Sequence, residues 1–233
     1  MANLYLIRHG QASFDKDDYD QLSELGFQQA RHLGDGLKAK VAKPDLIVSG
    51  TMRRHQETAH SSTAAFTEQS IPQVQLISNW NEFDHQNVIA ALNPAWENSS
   101  DFRRHISRHE SPERYFMQLF SEGLARWVSG ENDADYKEPW AEFKARVLAG
   151  FESVAQLLPA NGNAFVFTSG GPISSLVMSL LNLPDENLLK INRTLVNCGV
   201  TKIRISKNGS FLSTLNEHAV FDSPQHRHMI TYK

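Results

Sequence analysis

An arginine, a histidine and a glycine occupy positions 8, 9 and 10, directly after a short apolar run. The run covers residues 4–7 (LYLI) and is typical of a strand buried on both faces. A guanidinium group pairs two phosphate oxygens at once, and a neutral imidazole is a nucleophile. Arg8 and His9 therefore indicate a site where an anion is held and attacked, and Gly10 leaves room beside the ring.

Two further apolar runs end in small polar residues in the same way. Residues 45–48 (DLIV) stop at Ser49 and Gly50, and residues 164–167 (AFVF) stop at residues 168–171 (TSGG). A helical pattern follows each run, and the ligands of open α/β sheets collect at such strand ends. We expect the three strand ends to converge on one site.

These segments resemble the histidine phosphatase superfamily, the phosphoglycerate mutase-like proteins, in family order from residue 4 to about residue 215. The triplet of Arg8, His9 and Gly10 resembles the family signature. The other matching segments are residues 22–30 (LSELGFQQA), 49–59 (SGTMRRHQETA), 81–83 (NEF), 168–171 (TSGG) and 197–201 (NCGVT). The resemblance implies a phosphoglycerate mutase-like fold and phosphoryl transfer through a phosphorylated His9.

The resemblance also implies roles for other charged residues. An arginine four positions before a Thr-Ala pair selects Arg54 rather than Arg53. Arg8 and Arg54 together could hold the three oxygens of a phosphate dianion. Glu82 matches the family's acidic residue, which would protonate the leaving oxygen and later activate a water molecule. The negative charge of the phosphate should raise the pKa of this carboxyl group.

One position departs from the family pattern. Where the resemblance implies a second histidine that binds the transferred phosphoryl group, the chain has Ser169. A serine hydroxyl can still donate one hydrogen bond, and the backbone at Gly170 opens a helix whose amide groups attract an anion. We therefore expect phosphate binding to survive better than turnover. Ser169→His should raise turnover if the pocket admits the larger ring.

Three other polar side chains are considered for the phosphate pocket. Gln11, one residue past the triplet, either contacts the phosphate or is an ordinary polar residue. His55 and His85 are close in sequence to the matched arginine and glutamate, and either could replace the second histidine. His85 lies three residues past Glu82, in a loop that should border the site, so we take His85 as the candidate phosphate contact.

The surrounding pattern predicts a three-layer α/β/α fold with a largely parallel central sheet. Ser23 is a typical helix N-cap, residues 50–63 predict a second helix, and Gly170 begins a third. Residues 201–205 and 211–215, which flank an Asn-Gly pair, predict a hairpin.

The stretch from about residue 93 to residue 158 is polar, helical in pattern and free of strand signals. Pro112 and Pro139 mark two helix starts within it. We expect a helical insertion over the strand ends, within a single domain that spans residues 1–233.

Charge and composition exclude several function classes. The net charge is −3 without a long basic run, which does not fit a nucleic-acid binder. Cys198 is the only cysteine, so an internal disulfide framework is excluded. No segment approaches the ~20 apolar residues of a membrane span, and no signal-peptide pattern is present. We expect a cytoplasmic protein with no cofactor, no metal, and neither nucleic-acid nor membrane partners; its oligomeric state is open.

The predicted activity is hydrolysis of a phosphomonoester, on a small molecule or a phosphoprotein, through phosphorylated His9. The first alternative is a phosphoglycerate mutase-type phosphotransferase. The second is a weakly active or inactive phosphate-binding or scaffold protein, for which Ser169 is the evidence. The third is a metal-dependent hydrolase built on His105 and His109, which is a weak signal because their segment is densely cationic.

Overall fold

The computed structural model describes residues 1–13, 20–66 and 70–232. Its strands are β1 (Ala2–Arg8), β2 (Leu46–Ser49), β3 (Val74–Leu76), β4 (Asn163–Thr168), β5 (Val200–Ser206) and β6 (Gly209–Glu217). Its α-helices are α1 (Glu24–Lys40), α2 (Arg53–Thr63), α3 (His85–Ala90), α4 (Ser99–Ser107), α5 (Pro112–Ser129), α6 (Trp140–Leu157), α7 (Gly170–Leu181) and α8 (Leu188–Asn192).

The six strands form one mixed sheet in the order β3-β2-β4-β1-β5-β6. The four strands from β3 to β1 pair in parallel, whereas β5 is antiparallel to both β1 and β6. The predicted parallel strands and the predicted hairpin are both confirmed. Arg8, the last residue of β1, pairs with Thr168, the last residue of β4, so both strands end at the same edge.

Alternate residues of the central strands face two separate cores. Leu4 and Leu6 of β1 cluster with apolar residues of α6 and α7, and Tyr5 and Ile7 cluster with residues of α1 and α2. Successive side chains of a strand point to opposite faces, so helices cover both faces of the sheet. The predicted three-layer arrangement is confirmed, and each fully buried aliphatic side chain contributes about 1.5–3 kcal/mol to it.

Four of the five helix starts that the sequence predicts are found to within one residue, namely those of α1, α5, α6 and α7. The hydroxyl of Ser23 accepts a hydrogen bond from the backbone N–H of Gly26 at 3.0 Å, and α5 and α6 start at or directly after the predicted prolines. The prediction for α2 is wrong by three residues, since the helix starts at Arg53. Before it, the N–H of Gly50 bonds to Phe167 and that of Thr51 to the Asn81 side chain, which holds this backbone outside the helix.

The predicted helical stretch contains α4, α5 and α6, and its described residues include no strand. His105 and His109 of this stretch both contact Tyr115, the first through a 3.1 Å contact to the phenol oxygen and the second by ring stacking at 3.5 Å. Among the described helices, none is both long and apolar enough to cross a membrane. That the chain forms a single domain with an insertion stays a prediction.

The contact between α1 and α2 generates a stability prediction. A Cβ atom at Gly34 of α1 would lie 2.3 Å from the backbone oxygen of Ser62 in α2. Gly34→Ala should therefore lower the free energy of unfolding by about 1–3 kcal/mol, because two helix backbones would have to separate. Urea denaturation measures this. Asp35→Ala, at the exposed neighbouring position, is the control, and equal midpoints for both variants would contradict the close packing.

Candidate functional site

His9 directly follows β1 and is fixed on both sides by its backbone. Its N–H donates to the carbonyl oxygen of Thr168 at 2.9 Å, and its own carbonyl accepts from the Asn197 side chain at 3.1 Å. Nδ1 of the ring lies 2.7 Å from the carbonyl oxygen of Gly10. A carbonyl can only accept, so Nδ1 carries the proton and Nε2 presents a lone pair.

The loop after His9 is held by two side chains from the matching segments. The N–H of Gly10 donates to Thr58 Oγ1 at 3.0 Å, and that of Gln11 donates to Gln29 Oε1 at 2.8 Å. A Cβ atom at Gly10 would lie 2.6 Å from the carbonyl oxygen of Gly26, so only glycine fits this crossing. The Gln and Thr of these segments thus satisfy backbone donors that would otherwise be buried without acceptors.

The two predicted arginines are both buried at this edge of the sheet. Arg8 is 8% exposed and donates to the backbone carbonyls of Leu195 and Tyr232. Arg54 is 5% exposed, and its Nη1 donates to the carboxylate of Asp20 at 2.6 Å. These contacts fix the positions of both guanidinium groups, and the Asp20 carboxylate is an ion-pair partner of Arg54.

Arg53 differs from Arg54 in its surroundings. Arg53 is exposed and forms a surface ion pair with Glu57, one helical turn further along α2. Arg54 faces the core, and its backbone carbonyl accepts a hydrogen bond from Thr58 at 2.6 Å. The arginine selected by the spacing to the Thr-Ala pair is therefore the buried one of the two.

Burial and neighbouring cations keep the His9 imidazole neutral. The pKa of His9 is held well below its usual value, first by burial and then by the charges of Arg54 and Arg8. A neutral imidazole near two cations can attack a bound anion at neutral pH.

The carboxylate of Glu82 contacts the backbone at the N-terminal end of α7. Its carboxylate accepts hydrogen bonds from the backbone N–H groups of Gly171 at 3.1 Å and Phe83 at 3.2 Å. Burial raises the pKa of Glu82, against the opposing effects of these hydrogen bonds and of Arg54. From the sequence we expected a bound phosphate anion to raise the pKa of Glu82, but burial raises this pKa without a phosphate. A Cβ atom at Gly171 would lie 2.0 Å from the carboxylate, so glycine is required there.

The loop that carries Glu82 is anchored by two contacts that the sequence did not predict. Thr168 Oγ1 at the end of β4 donates to the carbonyl of Trp80 at 2.6 Å. Arg146 of α6 pairs with Glu138 and also binds backbone carbonyls of the loop. These carbonyls belong to Ser78, Asn79 and Asn81. An arginine that holds carbonyls leaves no motif in the sequence, because any residue type can supply them.

Ser169 and His55 form a buried pair beside His9. His55 Nε2 lies 2.6 Å from Ser169 Oγ, and neither residue is exposed to solvent. The His9 and His55 ring centroids are 5.8 Å apart. The histidine that reaches position 169 is therefore His55 and not His85, which the sequence favoured of the two. Because the His55 ring already fills the space in front of the hydroxyl, Ser169→His does not fit without displacing it.

The remaining candidates lie around this centre. Gly170 begins α7 and is buried. The side-chain oxygen of Gln11 accepts a hydrogen bond from Ser23 at 2.9 Å, which ties it to the N-terminus of α1. His85 begins α3, and its pKa is lowered by burial and then by Arg54. That His85 borders the site and contacts a phosphate stays a prediction.

Comparison with known proteins identifies relatives over nearly the whole chain. The model of the histidine phosphatase superfamily (branch 1) matches residues 4–218. The 2,3-bisphosphoglycerate-dependent phosphoglycerate mutase of Parvibaculum lavamentivorans is 30% identical over 199 residues, which cover 81% of this chain and 84% of that protein. The phosphoglycerate mutase structure from Bacillus anthracis superposes with a TM-score of 0.65 at 20% identity and 94% coverage of both chains. The phosphoserine phosphatase of Entamoeba histolytica, in complex with 3-phosphoglyceric acid, gives a TM-score of 0.65 at 19% identity, with 94% of this chain and 99% of that chain covered.

The two buried imidazoles generate a prediction for stability against pH. The pKa values of both His9 and His55 are lowered by burial, so both stay neutral when folded but take up protons below about pH 6.5 when unfolded. The unfolded state then binds more protons, and the free energy of unfolding should fall as the pH decreases below about 6.5. Each histidine contributes up to about 1.4 kcal/mol per pH unit.

Urea denaturation between about pH 7 and pH 5 measures this slope. Combining His9→Gln with His55→Gln should flatten it, whereas His60→Gln, at an exposed position of α2, should leave it unchanged. Glu82 acts in the opposite direction, because its raised pKa gives stability at low pH that is lost as the pH rises. A wild-type slope equal to that of the double variant would contradict the neutral state of the two rings.

Proposed function

Because the chain belongs to the histidine phosphatase superfamily (branch 1), we propose that it hydrolyses phosphomonoesters through a phosphohistidine formed on His9. The observation that carries this proposal is the state of the His9 ring. Its Nδ1 is held by the carbonyl of Gly10, and its pKa is lowered by burial and by Arg54 and Arg8. Such a ring keeps its Nε2 lone pair for attack on a phosphorus atom.

Substrate binding rests on the two buried arginines. Arg8 and Arg54 pair with oxygens of the phosphate dianion, and the N–H groups at Gly170 and the hydroxyl of Ser169 lie at the N-terminal end of α7, where an anion is favoured. The arginines spread the charge that develops during transfer. Gln11 and His85 are peripheral candidates for the same anion.

Transfer to His9 and release from it both involve Glu82. Nε2 of His9 forms a bond to phosphorus as the ester P–O bond breaks, and the Glu82 carboxyl gives its proton to the leaving oxygen. Water then attacks the phosphohistidine and loses a proton to the Glu82 carboxylate, which restores both residues. The raised pKa of Glu82 supports the first step, because it increases the protonated fraction near neutral pH.

Mutase activity is a second candidate, favoured by the relative from Parvibaculum lavamentivorans, which is a phosphoglycerate mutase. In a mutase, the phosphoryl group passes from His9 to a second hydroxyl group and not to water. We favour hydrolysis and a small phosphomonoester or a phosphoprotein as substrate. A cytoplasmic location and independence from metals and cofactors are part of the proposal.

A phosphoenzyme on His9 is the central prediction. Rapid acid-free quenching after mixing with 32P-labelled phosphomonoesters should trap label that is lost in acid, because a phosphoramidate on imidazole hydrolyses there and a serine phosphate does not. His9→Ala should abolish both label and turnover while phosphate still binds through Arg8 and Arg54. Turnover should be unaffected by a chelator.

Three outcomes would count against the proposed hydrolysis through His9. Acid-stable label on Ser169 would make the serine the nucleophile. Label that passes from His9 to 3-phosphoglycerate faster than to water would favour the mutase. Equal and negligible hydrolysis by wild type and His9→Ala across a broad panel, with phosphate binding retained, would favour a phosphate-binding scaffold.

The variant Glu82→Gln tests whether Glu82 donates the proton to the leaving oxygen, independently of the role of His9 as nucleophile. It should lower kcat/KM for an alkyl ester such as glycerol phosphate about a hundredfold, because an alkoxide needs a proton to leave. It should lower kcat/KM for p-nitrophenyl phosphate less than about tenfold, because that leaving group is stable as an anion. Glu131→Gln, in the exposed loop after α5, is the control. Equal losses for both esters would show that Glu82 does not donate the proton.

A further inference from the structure

Ser169 and His55 are buried polar side chains in direct contact, so their hydrogen bonds must be satisfied within the protein. His55 Nε2 lies 2.6 Å from Ser169 Oγ, inside a site where neither side chain contacts solvent. His55 Nδ1 has no hydrogen-bond partner among the described residues. A buried polar group without a partner is costly, so the position of the ring's one proton is constrained.

The proton of His55 belongs on Nε2. Burial and the charge of Arg54 lower the pKa of His55, so its ring is neutral and carries a single N–H. With the proton on Nδ1, a buried donor would have no acceptor. With the proton on Nε2, the N–H donates to Ser169 Oγ, and only a lone pair of Nδ1 is unused. In that state the Ser169 hydroxyl must direct its own proton elsewhere.

The direction left to that proton is toward the space beside His9. Thr168, which precedes Ser169, pairs with Arg8 in the sheet, and its carbonyl accepts the N–H of His9 at 2.9 Å. His9 and Ser169 therefore leave neighbouring strands at the same level. The His9 and His55 ring centroids are 5.8 Å apart, so the imidazole that contacts the Ser169 hydroxyl also lies next to His9.

We propose that His55 and Ser169 together form the third phosphate-binding group of the site. Ser169 Oγ–H donates to an oxygen of the transferred phosphoryl group, and His55 Nε2–H donates to Ser169 Oγ and thereby sets the direction of the hydroxyl proton. Ser169 is the contact and His55 is a positioning residue. The pair takes the place of the second histidine that the resemblance implies, with its imidazole supplied from α2. This inference rests on the proposed function.

The position of the His55 ring depends on the glycine at position 50. A Cβ atom at Gly50 would lie 2.3 Å from His55 Nδ1, so no larger residue at position 50 is compatible with this ring position. Gly50 follows β2, which pairs with β4, and its N–H donates to the carbonyl of Phe167 at 3.0 Å. Because Gly50 has no side chain, the ring of His55 can pass the end of β2 and reach Ser169 at the end of β4.

A double-mutant cycle tests whether the two residues act as one unit. His55→Ala and Ser169→Ala should each lower kcat/KM about tenfold, with the loss mainly in kcat, because each removes or misdirects one donor. The double variant should lose no more than the worse single variant. His55→Gln should stay within about threefold of wild type, because its amide nitrogen can donate in place of Nε2. His60→Ala on the exposed side of α2 is the control.

A second readout does not depend on turnover. Calorimetric titration with inorganic phosphate should show the same non-additive losses of affinity, and 15N NMR of the imidazoles should show a His55 Nε2–H signal that shifts when phosphate binds and changes in Ser169→Ala. Additive losses, a His55→Gln variant as impaired as His55→Ala, or a proton on Nδ1 would overturn the inference. If wild type forms no phosphoenzyme, the proposed function fails, while the phosphate titrations still decide the role of the pair.

Discussion

The parallel pairing of β4 with its two neighbours is the constraint on which the site depends. On one side Thr168 pairs with Arg8, which brings the ends of β4 and β1 to one level and holds His9 through its backbone N–H. On the other side Phe167 pairs with Ser49, which brings the start of α2 to the same edge. Parallel strands end together, so chemistry carried by residues far apart in the chain meets there without a dedicated loop. A one-residue shift in this register would reverse the face to which each side chain of the shifted strand points.

In the proposed mechanism the same two cations bind the phosphate and keep the His9 nucleophile neutral. Arg8 and Arg54 are nearly fully buried, and their field adds to burial in lowering the pKa of His9. A histidine protonated at neutral pH would bind an anion but could not attack it, whereas a neutral histidine alone would attack but bind the anion weakly. With the positive charge placed on guanidinium groups, which do not lose their protons, the two requirements are met by different residues. Glu82 shows the converse, because burial raises its pKa although both arginines oppose the rise.

Features set by local chain geometry could be predicted from the sequence, and features set by packing between elements could not. The apolar runs predicted β1, β2 and β4, and Ser23 predicted the start of α1, because each depends on neighbours within a few positions. Thr58 and Gln29 belong to the matching segments, but the sequence does not show why. Their side chains accept hydrogen bonds from the backbone N–H groups of Gly10 and Gln11, which is visible only once Gly10 is seen to pack against α1. His85 was preferred over His55 because it is nearer in sequence to Glu82. Sequence distance was a poor guide, since His55 meets Ser169 across 114 residues through the pairing of β2 with β4.

The arrangement of Ser169 and His55 also changes what a serine at this position means. Taken alone, a hydroxyl is a neutral donor of modest strength and is free to rotate toward other acceptors. A hydroxyl that accepts a hydrogen bond from an imidazole N–H is polarised by it, and hydrogen bonds in such chains strengthen one another in a low-dielectric interior. The hydroxyl proton is then both stronger as a donor and fixed in direction before substrate arrives, which is the property that charge stabilisation in a transition state requires. A serine at the end of β4 is therefore weak evidence for lost catalysis when an imidazole stands behind it, and the identity of the residue after Arg54 matters as much as that of residue 169 itself.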